Sequence, residues 1–145
     1  MNWYGASKRD PRVVSLYSRH YSSKKNGKKI KDWLSFGITA PGDPIVLLTP
    51  EGSALFVWVK QMFRQDGETG INCSVFRNEA PELYRSSELI QEAEIIAWGK
   101  WPGERLFTHI DGRIVHGDGC CFKHAGWKKL HNRTKAGLII LEKLP

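Results

Sequence analysis

The 145-residue chain is 41% hydrophobic and 26% charged, the proportions of a soluble protein with one core rather than of a disordered or fibrous one. Its longest apolar runs, IVLL and GLIIL, fall far short of the ~20 residues of a membrane span, and MNWYGASKRD has no apolar signal region, so neither membrane nor export is expected. Net charge is +7, from 22 basic and 15 acidic residues, and the excess is clustered. SSKKNGKKIK carries Lys24, Lys25, Lys28, Lys29 and Lys31, and FKHAGWKKLHNRTK carries Lys123, Lys128, Lys129, Arg133 and Lys135. Such clusters attract polyanions by counterion release, the alternative being a solvated loop that aids solubility. Three cysteines, Cys73, Cys120 and Cys121, are an odd number without knuckle spacing, which favours a reducing compartment over a disulfide scaffold.

In chain order, DPRVVSLYSRHYS predicts a first helix, capped by Asp10 with Pro11 at its first position. The lysine loop follows, then WLSFGIT as a first strand. PIVLLT and SALFVWVKQMF, joined by PEG, predict a hairpin. INCSVFRNE predicts a strand rich in β formers, with Ser74 on the face opposite Cys73 and Val75. RSSELIQEAEIIAW predicts the clearest helix, capped by Ser86 or Ser87, with Leu89, Ala93 and Ile96 as its core stripe. GKWPGE ends it, RLFTHID predicts a strand, CCFKHAGWKKL a short helix and GLIILEKL the last strand. This order implies one α+β domain over residues 1–145, with a mixed, mainly antiparallel sheet and helices on both faces. Residues 1–35 form its basic N-terminal helix and loop.

The passage CSVFRNEAPELYRSSELIQEA is dense in polar groups where a strand gives way to a helix. A helix N-terminus exposes unpaired N–H groups and partial positive charge, so phosphates bind there. Arg77 and Arg85 add charge, and Ser86 and Ser87 add hydroxyl donors; ordinary capping with surface arginines is the plainer account. GxxxxGK[ST] is absent, which argues against a P-loop nucleotidase. Asn78 and Glu79 emerge at a strand end, where Glu79 is a candidate general base. His109 and Asp111 share a strand face two residues apart, an arrangement that orients a base or holds a metal, although an aspartate before glycine also suits a turn. His116, Cys120, Cys121, His124 and His131 crowd together without finger spacing. Trp58, Trp98, Trp101 and Trp127 are candidate stacking partners, with most expected in the core.

The succession LFTHID, CCFKHAGW, GLIILEKL resembles the end of a GNAT acyltransferase fold, in which a strand and a helix form a splayed wedge for the acyl-CoA. The whole string from CSVFRNE through SSELI, WPGERLFTHID, CCFKHAGW and RTKAGLIILEKLP resembles the Mom-like DNA-modification proteins of temperate phages, over Pro44 to Pro145. That resemblance implies a cytoplasmic enzyme of a bacterial host that adds a methylcarbamoyl-type group to adenine N6 in double-stranded DNA and protects it from restriction. Acetyl-CoA is the implied donor and iron an implied metal. It implies catalytic roles for Ser74, Asn78, Glu79, His109 and Asp111, and a coenzyme cradle from Arg77, Arg85, Ser86, Ser87 and Phe122. His20, Tyr21, Lys24, Lys25, Lys28 and Lys29 would face DNA. Many GNAT enzymes carry tyrosine where Phe122 stands, and phenylalanine has no proton to donate. Two rival readings remain: a non-enzymatic DNA-binding module and an ordinary GNAT N-acetyltransferase.

Overall fold

A computed structural model describes residues 1–24, 27–62, 64, 66–115, 117 and 119–145. Seven strands form one sheet: β1 (Tyr4–Gly5), β2 (Gly42–Leu48), β3 (Ala54–Gln61), β4 (Ile71–Asn78), β5 (Leu106–Ile110), β6 (Lys128–Arg133) and β7 (Ile139–Lys143). Their spatial order is β1-β2-β3-β4-β5-β7-β6. Every neighbouring pair is antiparallel except β4 and β5. A parallel pair needs a long crossover, and here it is the helix α3 (Ser86–Lys100). The other helices are α1 (Pro11–Ser18), α2 (Ile30–Phe36) and α4 (Cys120–His124), with a 3-10 turn at Tyr21–Lys24.

Alternation along β3 divides the core in two. Ala54, Phe56 and Trp58 point to the side of α3 and α4, where Leu89, Ile90, Ala93, Phe122 and Trp127 are buried. Leu55, Val57 and Val59 point to the side of α1 and α2, against Val13, Leu16, Tyr17 and Trp33. Trp58 is fully buried, and its indole N–H donates to Ala93 O at 2.9 Å, so its polar atom is satisfied within the apolar layer. On the α3 side, Glu94 is also buried; it accepts from Trp127 Nε1 at 2.9 Å and pairs with Lys143 at 2.6 Å.

The expected mixed sheet with helices on both faces is present, as are α1 with its Asp10 cap and the β2–β3 hairpin. Several local expectations are corrected. WLSFGIT is not a strand: Ile30–Phe36 is helical, with the Asp32 carboxylate accepting from Lys29 N at 2.8 Å and Trp33 buried. A short apolar run has no periodicity that separates the two states. Arg85, with its extended backbone, rather than Ser86 or Ser87 is the cap residue of α3, and the Ser86 hydroxyl accepts from the Asn78 amide at 3.1 Å. The last helix stops at His124, and Lys128–Arg133 is an edge strand instead. Trp58, Trp101 and Trp127 are buried and unavailable for stacking on a base.

Candidate active site

The geometry of the site begins at one residue of β4. Phe76 pairs with Phe56 and Val75 with Val57, but the next partner of Trp58 is Cys73. Ser74 is therefore the extra residue of a β-bulge, which bends the strand and raises its twist. Cys73 and Val75 consequently lie on opposite faces, Cys73 with the α3 core and Val75 with the α1 core, which corrects the simple alternation read from sequence. The bulge also ends the β4–β5 ladder. Only Ile71, Asn72 and Cys73 find partners on β5, in Leu106, Phe107 and Thr108. Beyond Cys73 the two strands part.

A cavity of about 100 Å³ occupies the opening, lined among others by Tyr21, Ser74, Phe76, His109, Cys121 and Phe122. Phe122 is buried edge-on to Phe76 and Trp127, with ring centroids 5.9 and 4.9 Å apart. The start of α4 is drawn tightly against the sheet: a Cβ on Gly119, at φ +81°, would stand 2.5 Å from Ile110 Cδ1. That packing sets Phe122 and Cys121 as one wall.

On the outer side of this wall lies a cavity of about 450 Å³ at the N-terminus of α3. Arg85, Ser86 and Ser87 line it, and Cys120, Cys121 and His124 of α4 complete it. Cys121 borders both this cavity and the opening between the strands. Asn78 shapes the loop: its amide donates to Tyr84 O at 2.9 Å and Ser86 Oγ at 3.1 Å, and its oxygen accepts from Ala80 N at 2.9 Å. All these bonds go to the loop that leads into α3.

Arg77 and Glu79 are not among the residues that line this cavity. Arg19 of the α1 C-terminus grips Glu79 through two bonds, 2.7 and 2.9 Å, and Arg77 adds a third at 2.6 Å. Arg19, with Arg77 assisting, holds the Glu79 carboxyl at about 2, too acidic for a base at neutral pH. The expected His109–Asp111 pair is also absent. Asp111 is buried and turns to Arg113, which donates Nε and Nη2 at 3.0 and 2.9 Å. His109 Nε2 is buried without a hydrogen-bond partner, and burial, reinforced by Arg64, pushes the imidazole below its ordinary range. It is therefore neutral at pH 7.

The opposite mouth of the opening faces a cavity of about 410 Å³ on the α1–α2 side. Tyr17, Trp33, Thr39, Gln61 and Asn72 line it, and it meets the strand opening at Ser74 and Val75, which border both. Gln61 Oε1 and Thr39 Oγ1 are buried without partners. Beside it runs an open groove of about 570 Å³ holding Lys24, Lys28, Lys29 and Lys31. Lys28 and Trp33 belong to both. Lys25 lies outside the described residues. His20 and Tyr21 border the strand opening. No group of three or more His, Cys, Asp or Glu among the described residues could hold a metal, so the implied iron finds no ligand set there. Among the described residues no helix is long and apolar enough to cross a membrane.

No family model matches the chain, and no curated protein sequence does. Solved structures do. One described as a phosphinothricin N-acetyltransferase superposes with a TM-score of 0.63 at 21% identity, covering 98% of this chain and 96% of its own. Another, described as a ribosomal-protein-serine acetyltransferase from Vibrio cholerae, gives a TM-score of 0.62 at 7% identity, covering 100% and 95%. At these identities the likeness establishes the fold: a seven-stranded, mostly antiparallel sheet of the GNAT acetyltransferase type.

Proposed function

We propose that the chain is an acyl-CoA-dependent N-acyltransferase. The observation that carries this reading is that the cavity in the β4–β5 opening meets the α1–α2-side cavity at Ser74 and Val75 and the cavity at the N-terminus of α3 at Cys121. A transferase must bring donor and acceptor together at one point while keeping their bodies apart. In this reading the pyrophosphate of acetyl-CoA sits at the N-terminus of α3, beside Arg85, Ser86 and Ser87, where unpaired N–H groups and the helix dipole favour anions. The thioester passes Cys121 into the strand opening. The strand opening, with the volume of about three waters, suits an acetyl-sized group rather than a long acyl chain. The acceptor amine enters from the Trp33 side. Neutral His109 takes up the proton that the attacking nitrogen sheds. The Asp111 carboxylate, held by Arg113, serves as an anchor for the end of β5.

The basic groove favours one acceptor class over a free metabolite. Lys28 and Trp33 border both the groove and the acceptor cavity, so a polyanion laid along the lysines would bring its own amine to the cavity mouth. An exocyclic base amine of DNA, adenine N6 as in the Mom-like proteins, is such an acceptor. It would have to leave the base stack to reach the cavity.

Two measurements test the reading. Acetyl-CoA should raise the melting temperature by mass action, and Arg85→Ala with Ser86→Ala should shrink that shift. Nucleoside mass spectrometry of plasmid DNA from expressing cells should show added mass on deoxyadenosine alone. Indifference to millimolar acetyl-CoA refutes the transferase, whereas unmodified adenine with a normal acetyl-CoA response moves the acceptor off DNA.

A further inference from the structure

Single exposed apolar side chains are ordinary on a protein surface. The helix α2 carries a group of them: it buries Trp33 and exposes Ile30, Leu34 and Phe36 within seven residues. Of the large hydrophobic residues described, Phe36 is the most exposed, at 72%, and it belongs to neither half of the core. Its place is nevertheless fixed on both sides. Ser35 O accepts from Arg9 Nη1 at 3.3 Å, and Gly37 N closes the helix by donating to Trp33 O at 2.8 Å. Gly37 has a φ of +87°, and a Cβ there would stand 2.6 Å from Lys8 Cδ. Ile38 N then donates to Lys8 O at 3.2 Å. The turn is clamped to the segment before α1, and Phe36 stands out from it into solvent.

This position adjoins the mouth of the acceptor cavity. Gly37, Ile38 and Thr39, directly after Phe36, line that cavity, as does Trp33 one turn before it. Cationic side chains stand at both ends of α2. Lys29 precedes its first residue and shares the basic groove with Lys24 and Lys31. Lys8 and Arg9, both exposed, lie against its last turn. The carboxylate of Asp32 is already bonded to Lys29 N at 2.8 Å. From Lys29 to Ser35 the helix rises ~9 Å at 1.5 Å per residue, the scale of a DNA groove, ~6–12 Å wide. Cations on either side of an apolar side chain are the equipment of proteins that insert that side chain into a base step and unstack it.

We propose that Phe36 is a wedge that opens the base stack of double-stranded DNA, so that the released base enters the adjacent cavity with its exocyclic amine. The role rests on the DNA-acceptor reading above. The basic groups at the two ends of α2 hold the phosphate backbone, and the Phe36 ring takes the gap that the extruded base leaves. Extrusion costs the pairing and stacking of one base. Moving a solvent-exposed ring between base pairs offsets part of that cost, because its apolar surface leaves water. The clamped turn serves the same end, since a wedge has to keep its direction while the duplex is pushed apart. Ile30, in the groove itself, and Leu34 extend the apolar surface beside the lysines.

The test uses a set of short duplexes of varied sequence, each with 2-aminopurine in place of one adenine, a reporter whose fluorescence rises when it leaves the stack. Saturating wild-type protein should raise the signal. Phe36→Ala should lose at least about half of that rise, while Phe36→Leu, still an apolar wedge, keeps most of it. The salt slope of binding should not change, since no cation is removed. With the reporter opposite a mismatched base, where extrusion costs least, Phe36→Ala should match wild type. A matched-duplex rise in Phe36→Ala equal to wild type overturns the proposal. So does a deficit equally large with the mismatch, which marks a lost contact and not lost opening. Wild-type protein that binds the duplexes without any rise also overturns it and leaves the DNA reading standing. Phe36-dependent binding to phosphatidylserine vesicles, with no base opening, overturns it in favour of a membrane surface. Wild-type protein that binds no DNA refutes the DNA reading beneath it.

Discussion

Lys143→Met should destabilise the protein more than Glu94→Leu, and the two together should cost less than Lys143→Met alone. Glu94 has 4% side-chain exposure and Lys143 25%, with 2.6 Å between the charged atoms. Removing the lysine strands a carboxylate with only the Trp127 N–H against it. Breaking a buried pair in this way costs about 3–5 kcal/mol, and the quarter-exposed lysine places this case near ~3 kcal/mol. For a chain of this size that is roughly 6–12 °C in Tm. Removing the glutamate instead leaves an ammonium that still donates to Ala125 O at 2.7 Å and reaches water, plus an unpaired indole N–H. That loss is about 1–3 kcal/mol. The double variant has no stranded charge. Urea unfolding followed by tryptophan fluorescence measures all three. Additive losses would show that the charges do not depend on one another, and the argument from burial would fall.

Glu79→Gln should flatten the acid limb of stability. Arg19 and Arg77 hold Glu79 at about 2 against an ordinary 4.5, so its contribution is whole above pH ~4.5 and lost as pH falls towards 2. Parallel stability–pH curves for wild type and variant would contradict this. Asn78→Ala removes three loop bonds and should lower stability by about 1–3 kcal/mol. It should also halve or abolish the acetyl-CoA thermal shift, which Glu79→Gln leaves intact; equal shifts would separate the loop from the coenzyme. Replacing Lys24, Lys25, Lys28 and Lys29 by alanine should lower the log–log salt slope of DNA binding by ~0.9 for each phosphate that is no longer neutralised. An unchanged slope makes the lysines a solvated surface.

What could be read from residues alone follows from where one signal dominates. The Asp10–Pro11 start of α1, the β2–β3 hairpin and the long α3 are each marked by caps, turns or periodicity that their folded packing respects. β6 could not be seen, because KKLHNR is almost wholly exposed and lacks the alternation of a half-buried strand; its charges suit a sheet edge. The pairing of Glu79 with Arg19 spans sixty residues and has no local signature. That Arg85, Ser86 and Ser87 lie together at the start of α3 was legible, since strand, short loop and helix start are adjacent in sequence. The other half of that cavity, Cys121 and His124, was recognisable only as a crowd of ligand-type residues. Tyr21 enters the strand opening by a tertiary route that no spacing encodes.

The bulge at Ser74 separates chain length from side-chain identity in an unusual way. Deleting one residue from a regular strand turns every later side chain to the wrong face. Ser74 is the supernumerary residue, so its removal would leave Ile71 and Cys73 facing α3, Val75 facing α1 and Phe76 facing α3, as they do now. Both cores would survive the deletion. β4 would then run on straight beside β5 and zip the two strands together past Cys73. The gap through the sheet is thus stored in a single surplus peptide unit, and a chain one residue shorter would keep the architecture and lose the doorway.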